Sequence, residues 1–124
     1  MKESAALDAF AAMSNETRLR ILKRLVAAGP TGLPAGEIAD AVGASPSRTS
    51  FHLSTMAAAG IIRAQRQARQ IVYAADFMAL GALVRFLLEE CCSNDPTVRA
   101  CCGLAADPAS ETQTPARSGG CDDA

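Results

Sequence analysis

The residues able to do chemistry fall into two groups. All five cysteines, Cys91, Cys92, Cys101, Cys102 and Cys121, lie in the C-terminal part of the chain, and none lies in the body that precedes it. Two vicinal pairs flank Asp95-Pro96. Soft thiolates select soft, thiophilic ions, whereas hard oxygen ligands and imidazole are missing beside them. In a chain read as intracellular, such thiols point to metal ligation or redox chemistry rather than to structural disulfides. The bland alternative is a set of cysteines with no role in a loose tail. The second group is the run Ser45, Ser47, Arg48, Thr49, Ser50 and His52, followed by Arg66, Gln67 and Arg69. Small hydroxyls allow close approach to a polyanion and donate to phosphates or bases, and Arg48 suits a two-pronged contact to guanine. The bland reading here is helix caps and solvated surface charge.

The elements that must position these residues follow from apolar spacing and breakers. Leu7, Phe10 and Met13 mark a first helical stripe over about 4–13. Ser14 or Asn15 can cap a second helix, whose inner residues are read as Leu19, Leu22, Leu25 and Val26 with Ile21 beside them. Gly29-Pro30 stops it. Pro34 suits the first turn of a short third helix that turns Ile38, Ala39 and Val42 inward and ends at Gly43. Ser45 caps the next helix, with Pro46 at its first position and Leu53, Met56 and Ala57 inward; Gly60 ends it. Two β-prone runs, 61–66 and 70–74, separated by Gln67-Ala68-Arg69, predict a hairpin. A last helix runs from Asp76 to Cys91 or Cys92 with the stripe Phe77, Leu80, Leu83, Val84, Leu87 and Leu88. That stripe is wide enough for part of it to face another chain.

The expected fold is therefore mainly α: a winged helix-turn-helix of about five helices plus a two-stranded hairpin wing. The expected divisions are residues 1–92 for DNA binding and dimerisation, 93–103 for a cysteine-bearing sensor segment, and 104–124 for a disordered tail rich in small and polar residues. In such a fold the second helix of the pair enters the major groove of double-stranded DNA, and the wing meets phosphate or the minor groove. The formal net charge of −1 conceals an asymmetry. From Ser14 to Ala75 eight bases face three acids, whereas from Leu104 onward only Arg117 opposes four acids. A basic body with an acidic tail suits phosphate attraction. No apolar run approaches the roughly 20 residues of a membrane span. Charges at Lys2, Glu3 and Asp8 interrupt the N-terminus too soon for a secretion signal. The expectation is a cytoplasmic protein with no membrane contact. No Cys-x-x-Cys opens a helix as a dithiol enzyme would require, so no catalytic activity is expected.

The run Ser47-Arg48-Thr49-Ser50-Phe51-His52-Leu53 resembles the S-x-x-S-x-H-L recognition helix of the ArsR–SmtB metal-sensing repressors. Asn15-Glu16-Thr17-Arg18-Leu19-Arg20-Ile21-Leu22 looks like that family's second-helix signature. Ala59-Gly60-Ile61-Ile62, with Arg66-Gln67-Ala68-Arg69 and Tyr73, is similar to its helix-to-wing segment. Two positions depart from the pattern: Ala68 stands where many members have Gly, and Met56 replaces a common Leu. The resemblance, over about residues 5–92, implies a homodimer joined through the first and last helices, bound to a two-fold operator and released by an effector. The family's Cys-x-Cys metal site on the third helix is absent, since Ala35–Ala41 holds no cysteine. Its His and carboxylate zinc site on the last helix is absent too, because the one histidine, His52, lies on the recognition helix. The arsenic-responsive pattern, a Cys-Cys pair ending the last helix with another cysteine soon after, fits best. It implies trivalent arsenic or antimony, inorganic or methylated, as effector, held by Cys91 and Cys92 with Cys101 or Cys102. A loop over 93–100 would fold back to deliver the third thiolate, and Cys121 would be dispensable. A thiol redox switch on the same DNA-binding scaffold is the alternative. His52 has two open roles, contact to DNA or orientation of the recognition helix.

Overall fold

The structure is a computed structural model that describes residues 1–104. The expected tail beyond Leu104, and Cys121 within it, lie outside the described residues. The contacts group into two compact units, Met1–Leu83 and the chain from Val84 onward, and each is taken by itself.

In the first unit, α1 (Glu3–Met13) packs on α2 (Glu16–Ala28) and on α4 (Pro46–Ala58) through Ala6, Ala9 and Ala12, all buried. The expected bulky stripe is not the inner one, since Leu7 is 60 % exposed. Alanines spaced by three let the helix backbones approach closely, which leaves Leu7, Phe10 and Met13 on the outside or at the margin. Asn15 caps α2, its side chain accepting the Arg18 N–H at 3.0 Å. The core-facing residues of α2 are Ile21, Leu22 and Leu25, while Leu19 and Val26 are exposed. The inner stripe is thus centred on the i, i+4 pair Ile21 and Leu25, rotated from the expected one.

A short 3-10 turn, Gly29–Thr31, leads into strand β1, Leu33–Pro34. Pro34 does not occupy the first turn of the next helix, the place its type suits. It serves instead as the extended N-cap of α3 (Ala35–Val42) while pairing with β3. Gly43 closes α3 in the left-handed conformation, φ 68°, which a residue without Cβ adopts freely. Ser45 caps α4, accepting the Arg48 N–H at 3.2 Å, with Pro46 in the first turn. The inner face of α4 is Thr49, His52, Leu53 and Met56.

The wing is β2 (Ile62–Gln67) and β3 (Gln70–Ala75), antiparallel, with Gln67 opposite Gln70, so the loop is only Ala68-Arg69. β1 adds a third strand, giving the order β1-β3-β2. Ala68 takes φ 57°, the strained position at which a glycine would carry less penalty. Helix α5 begins at Phe77, and Asp76 Oδ1 accepts the Ala79 N–H at 3.0 Å ahead of it.

The second unit departs most from expectation. The last helix does not continue as regular α to the cysteines. α5 ends at Phe86 and is followed by a π-helical turn, Leu87–Cys91, in which the Cys92 N–H donates to the Leu87 carbonyl at 2.9 Å. Ser93 and Asn94 then take positive φ, 50° and 57°. The stretch expected as a loop contains a helix, α6 (Pro96–Cys101), because Asp95 Oδ1 accepts the Thr97 and Val98 N–H groups at 2.8 and 3.2 Å and Pro96 fixes the first turn. Arg99 Nη1 donates to Asn94 Oδ1 at 3.1 Å.

Candidate functional site

α4 presents two faces of opposite character. Ser45, Ser47, Arg48, Ser50, Phe51 and Ser54 are exposed. Thr49 and His52, expected among the DNA-reading residues, are instead turned into the protein at 1 % and 9 % exposure. They sit in phase with Leu53 and Met56, so the helix that displays the serines must bury them. The Thr49 hydroxyl meets no hydrogen-bond partner in its pocket and acts as packing volume. The wing places Arg66, Gln67 and Arg69 at its exposed tip, with Arg63 exposed along β2. Both the α4 face and the wing belong to the first unit.

Arg18 holds α4 from behind, through a contact with no signature in the sequence pattern. Its Nη1 lies 3.2 Å from His52 Nδ1, and its Nε donates to the Ala12 carbonyl at 2.6 Å. One guanidinium therefore ties the end of α1, the start of α2 and the middle of α4 together. Arg cannot accept, so His52 Nδ1 must be the acceptor and the ring must be the neutral tautomer protonated at Nε2. Burial, then the positive charges of Arg18 and Arg48, push His52 below its ordinary value of 6.5. The geometry supports an orienting role for this ring rather than a base contact.

A histidine whose folded pKa is lowered takes up a proton more readily when unfolded. Its contribution to stability is complete above about 6.5 and is lost as pH falls through the interval down to the folded value. The melting temperature of the wild-type chain is therefore expected to fall on acidification from pH 7.5 to 5.5. H52Q, which keeps an acceptor but cannot charge, should show a flatter profile. Parallel profiles for the two proteins would assign the acid sensitivity to other groups.

The thiols lie in the second unit. Cys91, at the end of the π-helical turn, is exposed and free; Cys92 is half-buried and free; Cys102, capping α6, is exposed and free. Cys101 is disulfide-bonded. Among the described residues no three His, Cys, Asp or Glu side chains are gathered as a ready-made metal site. The fold thus brings both vicinal pairs into one unit without assembling them. The donor set, the exposed thiols of Cys91 and Cys102 and the half-buried thiol of Cys92 beside a positive-φ Ser93-Asn94 link, suits a thiophilic ion that can draw its own ligands together. No helix among the described residues is long and apolar enough to cross a membrane.

Known proteins share the helix-turn-helix fold. A family model described as a helix-turn-helix domain matches residues 13–65. The HTH-type transcriptional regulator YgaV of Escherichia coli K12 is 38 % identical over 91 residues, covering 73 % of this chain and 88 % of the relative. An ArsR-like transcriptional regulator from Rhodococcus sp. RHA1 superposes with a TM-score of 0.65 at 28 % identity, over 78 % of this chain and 89 % of that one. A homodimeric winged helix-turn-helix DNA-binding domain of Mycobacterium bovis, a possible ArsR-family regulator, gives 0.56 at 26 % identity, over 74 % and 85 %. The antimony-specific transcriptional repressor AntR gives 0.54 at 31 % identity, over 74 % and 83 %.

Proposed function

Since the chain belongs to the ArsR-type helix-turn-helix transcriptional regulators, we propose that it is a homodimeric, cytoplasmic repressor that leaves its operator when trivalent arsenic or antimony, inorganic or methylated, binds its C-terminal thiols. The observation that carries the DNA half is the capped, 13-residue α4, which exposes Ser47, Arg48 and Ser50 in the same unit as the wing tip Arg66, Gln67 and Arg69. The positive end of the α4 dipole favours phosphate, Arg48 reaches a guanine edge, and the wing arginines neutralise backbone charge. Homodimerisation has support in the outward apolar residues Leu7 of α1 and Phe77 and Met78 of α5, which are 60 %, 42 % and 86 % exposed, and in the homodimeric relative.

The effector half draws on the free thiols Cys91, Cys92 and Cys102 and on the likeness to an antimony-specific repressor. Cys91 and Cys92 would supply two sulfurs and the Cys101/Cys102 pair the third. Cys102 is the better candidate of that pair because it carries a free thiol. Thiol ligation releases protons, so capture strengthens as pH rises. A thiol redox switch on the same scaffold is the second reading, supported by the vicinal free thiols Cys91 and Cys92.

The test of DNA binding is the R48A/R69A double variant. Loss of Arg48 should cost about 1–3 kcal/mol at a guanine position. Loss of Arg69 should lower the slope of log affinity against log salt by about one unit. Electrophoretic mobility shift with the chain's own upstream DNA measures the first, and a salt titration the second. Unchanged binding in the double variant would leave the winged helix as a scaffold for protein contacts.

A further inference from the structure

α4 turns one aromatic ring toward water. Phe51 is 65 % exposed, while the other large apolar side chains of the helix, Leu53 and Met56, are fully buried. A lone exposed apolar residue is ordinary on a protein surface; its surroundings give this one meaning. Phe51 lies four residues after Ser47 and three after Arg48, which places it one turn further along the same face. Ser47, Arg48, Ser50 and Ser54 around it are all exposed. The ring is not loose: it meets the His52 ring edge-on, centroids 5.9 Å apart and planes at 62°, and His52 is in turn held by Arg18.

A strip of serines around one arginine offers too little apolar area for a protein partner. It matches the polar edges of bases in a major groove, and a single aromatic ring within it has one natural counterpart there. The 5-methyl of thymine is the apolar group that the major-groove edge presents. We infer that Phe51 reads thymine 5-methyl groups, adding a preference for A·T pairs one helical turn beyond the positions read by Ser47 and Arg48. This rests on α4 being the element that enters the groove.

The experiment removes the methyl and nothing else. A duplex bound by the full chain is first obtained by selection from a random library. Each thymine is then replaced by deoxyuridine, which keeps base pairing. At one or two positions the replacement is expected to weaken wild-type binding by roughly four-fold, the worth of one buried methyl. F51A should bind the thymine duplex more weakly by a similar factor and should no longer distinguish thymine from deoxyuridine at those positions. Because the ring is mostly in water in the free chain, the melting temperature and the salt slope of F51A should match wild type. Equal thymine-to-deoxyuridine ratios for the two proteins at every position overturn the inference, as does wild-type binding indifferent to the methyl throughout. If the wild-type chain selects no duplex, the DNA-binding reading fails first, so the two failures are distinguishable.

Discussion

The C91S/C92S variant is expected to hold its operator at arsenite concentrations that release the wild-type chain. A typical coupling between an effector site and a binding surface is about 1–3 kcal/mol, so wild-type affinity should drop about 5–150-fold and the variant should show no drop. The substitution is mild structurally, since Cys91 is exposed, Cys92 half-buried, and both are free. What it removes is the anchor of the capture event. The two thiols close a π-helical turn, and Ser93 and Asn94, at φ 50° and 57°, link it to α6 and Cys102. Such turns are departures from the regular ladder that appear often at functional sites. Drawing Cys102 toward Cys91 and Cys92 would rework that link, and the π-helical turn that the cysteines close follows directly on α5, the helix expected to join the subunits. Operator binding measured by fluorescence anisotropy, with and without arsenite, decides the matter. Normal release by the variant removes these cysteines from the sensor. Release of wild type by peroxide without any metalloid, with a new disulfide visible by mass, would favour the redox reading instead.

The parts that sequence reasoning reached and those it missed differ for physical reasons. The caps Asn15 and Ser45, the stop at Gly43 and the hairpin around Ala68-Arg69 are local, and local backbone chemistry decides them. The inner face of α1 was not reachable that way. Both Leu7-Phe10-Met13 and Ala6-Ala9-Ala12 have helical spacing, and periodicity does not say which of two apolar faces meets its own core and which awaits another chain. Strand β1 has two residues, too few for any alternation to register, and exists only because β3 lies beside it. The π-helical turn leaves no pattern of its own. α6 did carry a signal, Asp95-Pro96, which is a cap followed by a first-turn proline; the polar, small-residue context hid it. In the site, burial of Thr49 and His52 follows from their phase with Leu53 and Met56. The Arg18–His52 contact spans distant sequence and needed the fold.

The most damaging single methyl in the described domain is expected at Gly32. Gly29 and Gly32 share nearly one backbone conformation, φ 78°, ψ −165° and φ 70°, ψ −166°, a region essentially reserved for glycine, in which any other residue is strained by about 1–3 kcal/mol. Their surroundings differ. A Cβ on Gly29 meets nothing within 4 Å, whereas one on Gly32 would overlap the carbonyl group of Tyr73. Tyr73 sits in β3 opposite Leu33, so the obstacle is backbone in the middle of the sheet and cannot swing aside as a side chain could. G29A should therefore pay the conformational term alone, and G32A should add roughly 1–3 kcal/mol of overpacking. A domain stable by only about 5–15 kcal/mol feels that as a fall of on the order of 15 °C or more in melting temperature. The consequence reaches function, because relieving the overlap means detaching β1 from β3, and β1 is the strand that joins the wing to the chain entering α3. G32A should lose operator affinity in parallel with its sheet, while G29A, melted and titrated beside it, should keep affinity. Equal destabilisation of the two variants would show that backbone conformation alone, and not the close approach to Tyr73, sets the need for glycine at position 32.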